Sequence, residues 1–215
     1  MTDGEKLKHY MLPDRNRRFE EVLDRRTSSI RVVVENFHKQ HNVDAILRTA
    51  EALGIQHYHI VPQPGDGGIF KDITQGCERW VTIHCHDTVE ECFSELRGLG
   101  FRILAGAFEE GAVRLEDADW RGKVALVFSN EMEGAGPPVL DGADGLFVIP
   151  LHGFSQSLNV SVAAGIAINH ARRTKEGYGD LETLPDDERR SLLDEWNRKS
   201  VRRSVDILEE LEKRR

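Results

Sequence analysis

Cysteine is scarce in this 215-residue chain: Cys77, Cys85 and Cys92 form no CxxC and hold no metal-ligand spacing to histidine. That scarcity excludes a disulfide-stapled fold and a zinc-finger pattern, and it fits free thiols in a reducing cytosol. No apolar run reaches the ~20 residues of a membrane span, and no signal-peptide pattern opens the chain, so a cytoplasmic protein without membrane contact is expected. GxGxxG and GxxxxGK(S/T) are both missing, which argues against a standard dinucleotide or P-loop site. Excess positive charge is missing too. The formal net charge is −8, a weak argument against nucleic acid as a partner.

What is present qualifies that argument. Residues 1–31 carry a balance of +2, residues 32–168 carry −10, and residues 169–215 are neutral with twelve charges of each sign. The acid sits in the middle and basic residues gather at the ends. Arg15, Arg17, Arg18, Arg25 and Arg26 lie near the start, and Arg202 and Arg203 near the finish. Local basic patches bind phosphates even on an acidic protein. The competing explanation is two solvated amphipathic helices of mixed charge.

Hydrophobic residues make up 39% of the chain and charged ones 31%, enough for one sizeable domain with appendages. Apolar periodicity predicts helices over 14–26, 43–53, 88–99, 160–175, 186–198 and 200–214. Thr27-Ser28-Ser29 is expected to break the first of these. β-Branched and apolar runs predict strands over 30–34, 57–61, 80–85, 101–105, 124–128 and 145–149. Asn42 is expected to cap the second helix, with Gly54 ending it, and Ser155 or Ser157 to cap the small-residue helix that begins near Val160. Strands alternating with helices give an α/β class with a mostly parallel sheet flanked by helices. In open sheets of that kind ligands sit beyond the carboxyl ends of the strands. Three polar, glycine-containing loops fall at such ends: 105–107, 129–136 and 150–157. The turn-rich segment 62–76 is long enough to be functional or mobile.

Three segments together carry a resemblance. They are Asn42-Val43-Asp44-Ala45-Ile46-Leu47-Arg48-Thr49-Ala50, then Leu126-Val127-Phe128-Ser129-Asn130-Glu131-Met132-Glu133-Gly134, then Ile149-Pro150 with Ser157-Leu158-Asn159-Val160-Ser161-Val162-Ala163. Correctly ordered and spaced, they resemble the three motifs of the SPOUT superfamily of RNA methyltransferases, in its TrmH branch. The arginine-rich start and the helical finish resemble the subgroup that methylates a guanosine ribose in tRNA. The resemblance implies a C-terminal trefoil knot, S-adenosylmethionine as methyl donor without a metal, and a homodimer packed through the knot. It implies a basic helical extension over 1–29, a knotted SPOUT domain over 30–175 and a helical extension over 176–215. The implied acceptor is tRNA, at the D-loop guanosine conventionally numbered 18. Ribosomal RNA as acceptor, a non-catalytic knotted RNA-binding protein and a small-molecule nucleotide enzyme are the alternatives.

By matching motif positions, the donor is expected at Gly106, Ser129, Asn130, Gly134, Ile149, Leu151 and Leu158. Arg48, Asn42, Glu131, Ser157 and Asn159 are expected at the acceptor. The family's matching arginine has been assigned the role of base. Arginine stays protonated in essentially every protein site, so phosphate binding and alkoxide stabilisation suit Arg48 better. An ion pair with Asp44 is its structural explanation. Glu131 can equally be a solvated loop acid, and Ser157 a helix cap. The terminal arginines are expected to grip the RNA. Two departures from the family pattern stand out: Ser129 replaces a usual glycine, and Met132-Glu133 replaces a commonly basic pair.

Overall fold

Apolar and β-branched residues make up most of the segments that become strands, and alternate residues along the central strands serve two different helical layers. The computed structural model describes residues 2–37, 40–62, 77–130 and 133–213. Residues 27–182 form one compact unit, and residues 1–26 with 183–215 form another.

The larger unit contains β1 (Thr27–Glu35), α3 (Gln40–Ala52), β2 (Ile55–Val61), β3 (Thr82–Cys85), α4 (Val89–Gly98), β4 (Arg102–Gly106), β5 (Val113–Arg114), β6 (Val124–Ser129), α5 (Pro137–Gly142), β7 (Gly145–Val148) and α6 (Val160–Tyr178). In the smaller unit, α1 (Asp3–Leu7) and α2 (Pro13–Leu23) pack with α7 (Asp186–Ser200) and α8 (Ser204–Lys213). The strands form one sheet in the order β3-β2-β1-β6-β4-β7-β5, and every pairing is parallel.

The pleat divides the core. On β6, Val124, Leu126 and Phe128 face α3 and α6, while Ala125 and Val127 face α4 and α5. Helical spacing puts Val43, Ile46, Leu47, Ala50 and Leu53 on one face; the first four are buried in α3 and Leu53, just past its end, is half-buried, while the inward face of α4 (Val89, Cys92, Phe93, Leu96) is buried throughout. Gly54 follows α3 at φ +77, a left-handed position that glycine occupies without strain.

Several boundaries differ from the sequence expectation. Thr27 to Ser29 begin β1 rather than break a helix. The Thr27 and Ser29 hydroxyls lie 3.1 Å apart, and the Thr27 hydroxyl donates to the Glu182 carbonyl at 2.7 Å. Partnered in this way, small polar residues enter the sheet. Asn42 is inside α3, not its cap, because the helix starts at Gln40. Ser155 and Ser157 do not cap α6; the Asn159 side chain does, accepting from the Ser161 amide at 2.9 Å. The two-residue strand β5 and the short α5 carry no readable periodicity. Of the segment 62–76, all but Pro62 lies outside the described residues.

In the smaller unit Phe19 meets the Trp196 ring edge-on at 5.7 Å, and the Gly4 amide donates to Asp194 Oδ1 at 2.6 Å. Arg15, Arg17, Arg18, Arg25, Arg202 and Arg203 are exposed. Arg26 departs from the expectation of RNA contact. It is only 1% exposed, with its guanidinium over the Trp196 ring, so burial removes it from any solvent-facing basic patch.

Two buried polar clusters fix parts of the larger unit. Lys175 is fully buried near the end of α6, where Nζ donates to the Trp120 carbonyl at 3.2 Å, the Gly122 carbonyl at 2.5 Å and Asp180 Oδ2 at 2.7 Å. Its hydrogen bond holds the Asp180 carboxyl below the usual range. Lys175→Met is expected to lower folding stability by about 2–4 kcal/mol, because it strands those acceptors. An unchanged urea midpoint would contradict this role.

The second cluster lies between β1, β2, β3 and α4. Arg31 Nη1 is 3.2 Å from His59 Nε2, and a guanidinium can only donate, so Nε2 is the acceptor. His59 therefore carries its proton on Nδ1 and donates to His86 Nε2 at 2.9 Å. His57 Nδ1 pairs with His84 Nε2 at 3.0 Å, and Glu95 lies 3.9 Å from the outer nitrogens of His84 and His86. Burial pushes the Cys92 thiol up to about 12, aided by Glu95 and Glu91. His59, His86 and Cys92 hold donor atoms within 4.8 Å of one another, but both His59 nitrogens are already engaged.

Burial, then His84, Arg31, His86 and His57, depress the His59 pKa to about 2. The unfolded imidazole takes a proton near pH 6.5, which the folded one refuses. The stability His59 contributes is thus complete above pH 6.5 and drains away as pH falls toward 2. A steeper loss of stability between pH 7 and 5 is expected for the wild type than for His59→Gln, by up to roughly 1.4 kcal/mol per pH unit. Parallel pH profiles from urea titrations would refute it.

Candidate active site

In a parallel sheet all carboxyl ends lie on one side, so neighbouring strands deliver their following loops to the same place. β6, β4 and β7 are consecutive neighbours. Described residues of the segments after them, at 106–109, at 129–130 with 133–135, and at 149, 151, 157 and 158, line a cleft of about 260 Å³. Gly106, Ser129, Asn130, Gly134, Ile149, Leu151 and Leu158 all line it, and so does Ser157. The seven positions expected to hold a donor are thus brought together.

Local bonding shapes the walls. Gly106 lies against the Phe147 ring, and an added Cβ would meet its Cζ in van der Waals contact at 3.4 Å. Gly134 turns the β6 loop at φ +71, its amide donating to the Asn130 carbonyl at 2.9 Å. Asn130 is buried, and its Nδ2 donates to the Asn36 carbonyl at 2.8 Å. Asn36 occupies the left-handed region at φ +58 and donates from Nδ2 to Glu133 Oε2 at 3.1 Å. Burial raises the Glu35 carboxyl above its ordinary range; a hydrogen bond from Ser129 opposes the shift and Glu133 adds to it. The Ser129 hydroxyl, which has no counterpart in a family glycine, thus engages Glu35.

The acceptor residues are distributed differently. Asn42 is buried in the first turn of α3, and Asn159 Nδ2 donates to its Oδ1 at 3.3 Å. Ser161 Oγ donates to Asn159 Oδ1 at 2.5 Å. The first and third motif segments therefore meet through amides. Arg48 is exposed on α3 and does not line the cleft. It borders a second, open groove with Val162, Ile166, Asn169, His170 and Arg173 of α6. Glu131 lies outside the described residues. Sequence reasoning missed Phe108 and Glu109, which lie just beyond the loop read at 105–107, and Asn36, whose left-handed backbone leaves no mark on hydrophobic pattern.

A family profile described as "SpoU rRNA Methylase family" matches residues 29–169. The tRNA (guanosine(18)-2'-O)-methyltransferase of Thermus thermophilus is 38% identical over 187 residues, 86% of this chain and 96% of the relative. The solved A. aeolicus TrmH/SpoU tRNA modifying enzyme is 33% identical, with 88% of this chain and 98% of that chain covered and a TM-score of 0.78. An AdoMet-bound rRNA methyltransferase from Sinorhizobium meliloti is 26% identical, with 71% and 60% covered and a TM-score of 0.60. With the profile spanning most of the chain and a relative matched over nearly its full length, the chain belongs to the SpoU rRNA Methylase family.

Proposed function

We propose that this protein is an S-adenosylmethionine-dependent methyltransferase acting on a ribose 2′-hydroxyl of tRNA, at guanosine 18 of the D-loop. The observation that carries the reading is the convergence of three polar loops, two of them from the second and third motif segments, on one cleft at the carboxyl ends of β6, β4 and β7. The residues fit the donor. Gly106 permits close approach, Asn130 is held rigidly, and Ile149, Leu151 and Leu158 offer apolar walls for an adenine ring. The matched relatives support tRNA over ribosomal RNA, since the tRNA enzymes match more of this chain and at higher identity. A cytoplasmic location accords with that substrate.

The bound donor supplies an electrophilic methyl group. The protein's work is to hold the ribose in line with it and to stabilise the charge left on oxygen. Arg48 takes that second task, pairing with the adjoining phosphate and the developing alkoxide. Asn42 and Asn159 tie the Arg48-bearing helix to the cleft loop, and Ser157 stands at the cleft rim. Glu131 is assigned to the same acceptor region by its motif position.

Arg48 borders the α3/α6 groove rather than the cleft of its own chain. In this reading a homodimer places it at the cleft of the second copy. Val162 and Ile166, 50% and 41% exposed, supply an apolar surface for that contact. The knot implied by the family belongs to the same region, around the loop before α6. Arg15, Arg17, Arg18, Arg25, Arg202 and Arg203 grip the RNA.

Arg48→Ala is expected to cut transfer from labelled donor to a tRNA transcript by about a hundredfold or more while donor affinity stays within about twofold. A normal rate would remove Arg48 from the mechanism. RNA binding without methylation of tRNA or rRNA by the wild type would favour a non-catalytic binding protein. Neutralising Arg15, Arg17 and Arg18 together is expected to reduce the salt slope of tRNA binding by about 2 to 3, one phosphate contact per arginine. An unchanged slope would place the RNA elsewhere.

A further inference from the structure

The charged groups that line the cleft are Glu109 and Glu133; no lysine, arginine or histidine is among its described lining residues. Three aromatic rings, Phe108, Phe128 and Phe147, line it as well. Aromatic faces carry negative charge density and attract onium groups, and carboxylates attract any cation. Glu133 is also aimed, because Asn36 donates to its Oε2 at 3.1 Å from a backbone fixed in the left-handed region. An uncharged ligand gains only apolar contact from such a lining, and an anionic group is repelled by its carboxylates.

We infer that Glu109 and Glu133, with the aromatic wall, make this cleft selective for a positively charged ligand, so that it distinguishes the sulfonium donor from its uncharged thioether product. The inference rests on the donor reading above and deepens it. Donor and product share the adenosine and the amino-acid tail, and they differ by one methyl group and one positive charge. Uniform contacts to the shared parts bind both equally and leave the product as a strong inhibitor. A carboxylate near the sulfur removes that equality, since its attraction vanishes when the methyl group leaves and the sulfur becomes neutral.

The test is calorimetric titration of the full-length protein with S-adenosylmethionine, with S-adenosylhomocysteine and with sinefungin, which carries an ammonium in place of the sulfonium. The wild type is expected to bind the two cationic ligands more tightly than the thioether. Glu133→Gln, Glu109→Gln and the double variant are expected to lose that preference by about twofold to fivefold per carboxylate, with thioether affinity unchanged. Glutamine keeps the volume and the acceptor for Asn36, so folding is preserved. Equal weakening of all three ligands, or an unchanged preference, overturns the inference while leaving the donor reading intact. If none of the three binds the wild type, the donor reading falls and this inference with it.

Discussion

The parallel sheet imposes the constraint on which the larger unit depends. Every strand runs the same way, so every polar loop at a carboxyl end is delivered to one rim. The strand order then decides which loops meet. β4, β6 and β7 are adjacent in the sheet in an order that differs from their order in the chain, with β4 between the other two, and through that adjacency residues 106, 130 and 149 share a cleft. The β1 end, one strand further along, contributes Asn36 as a brace rather than as a wall.

The second constraint is the lack of bulk on α6, and the helix uses it on three sides. Ala164, Ala167 and Ala171 are fully buried against the sheet and let the helix lie close to it. Ala163 borders the cleft. Gly165 faces α3, where an added Cβ would sit 3.5 Å from Thr49 Cγ2. A larger residue at the fully buried Ala164, Ala167 or Ala171 would push the helix away from the sheet. Close packing alone therefore accounts for the small residues, whatever else approaches the outer face.

Much of this was legible in the sequence, for identifiable reasons. Helix periodicity named the buried faces of α3 and α4 residue by residue, because burial there depends only on spacing. The three loops were found because a strand, a glycine and a polar cluster are local signals. What escaped depends on partners distant in the chain. Thr27 reads as a breaker until Glu182 supplies an acceptor for its hydroxyl. Asn42 reads as a cap until Asn159 claims its side chain. Arg26 reads as a solvent-facing cation until Trp196 covers it. The four-histidine cluster was invisible for the same reason, since His57 and His59 meet His84 and His86 only through the pairing of β2 with β3.

The charge arrangement links the cleft to the helix that borders it. A chain of net charge −8 whose cleft is lined by two carboxylates repels a phosphate backbone at the place where, in the proposed reading, a ribose approaches. The cation-favouring lining and the RNA substrate therefore make opposing electrostatic demands. In the proposed reading they are reconciled by a positive group of the protein that meets the acceptor's phosphate outside the donor's walls. Arg48 is the residue proposed for that task, exposed on α3 and absent from the cleft lining of its own chain. A cation built into the cleft itself would oppose the sulfonium. In the proposed reading, separation of Arg48 from the donor walls keeps the surface that favours a cation apart from the group that meets a polyanion.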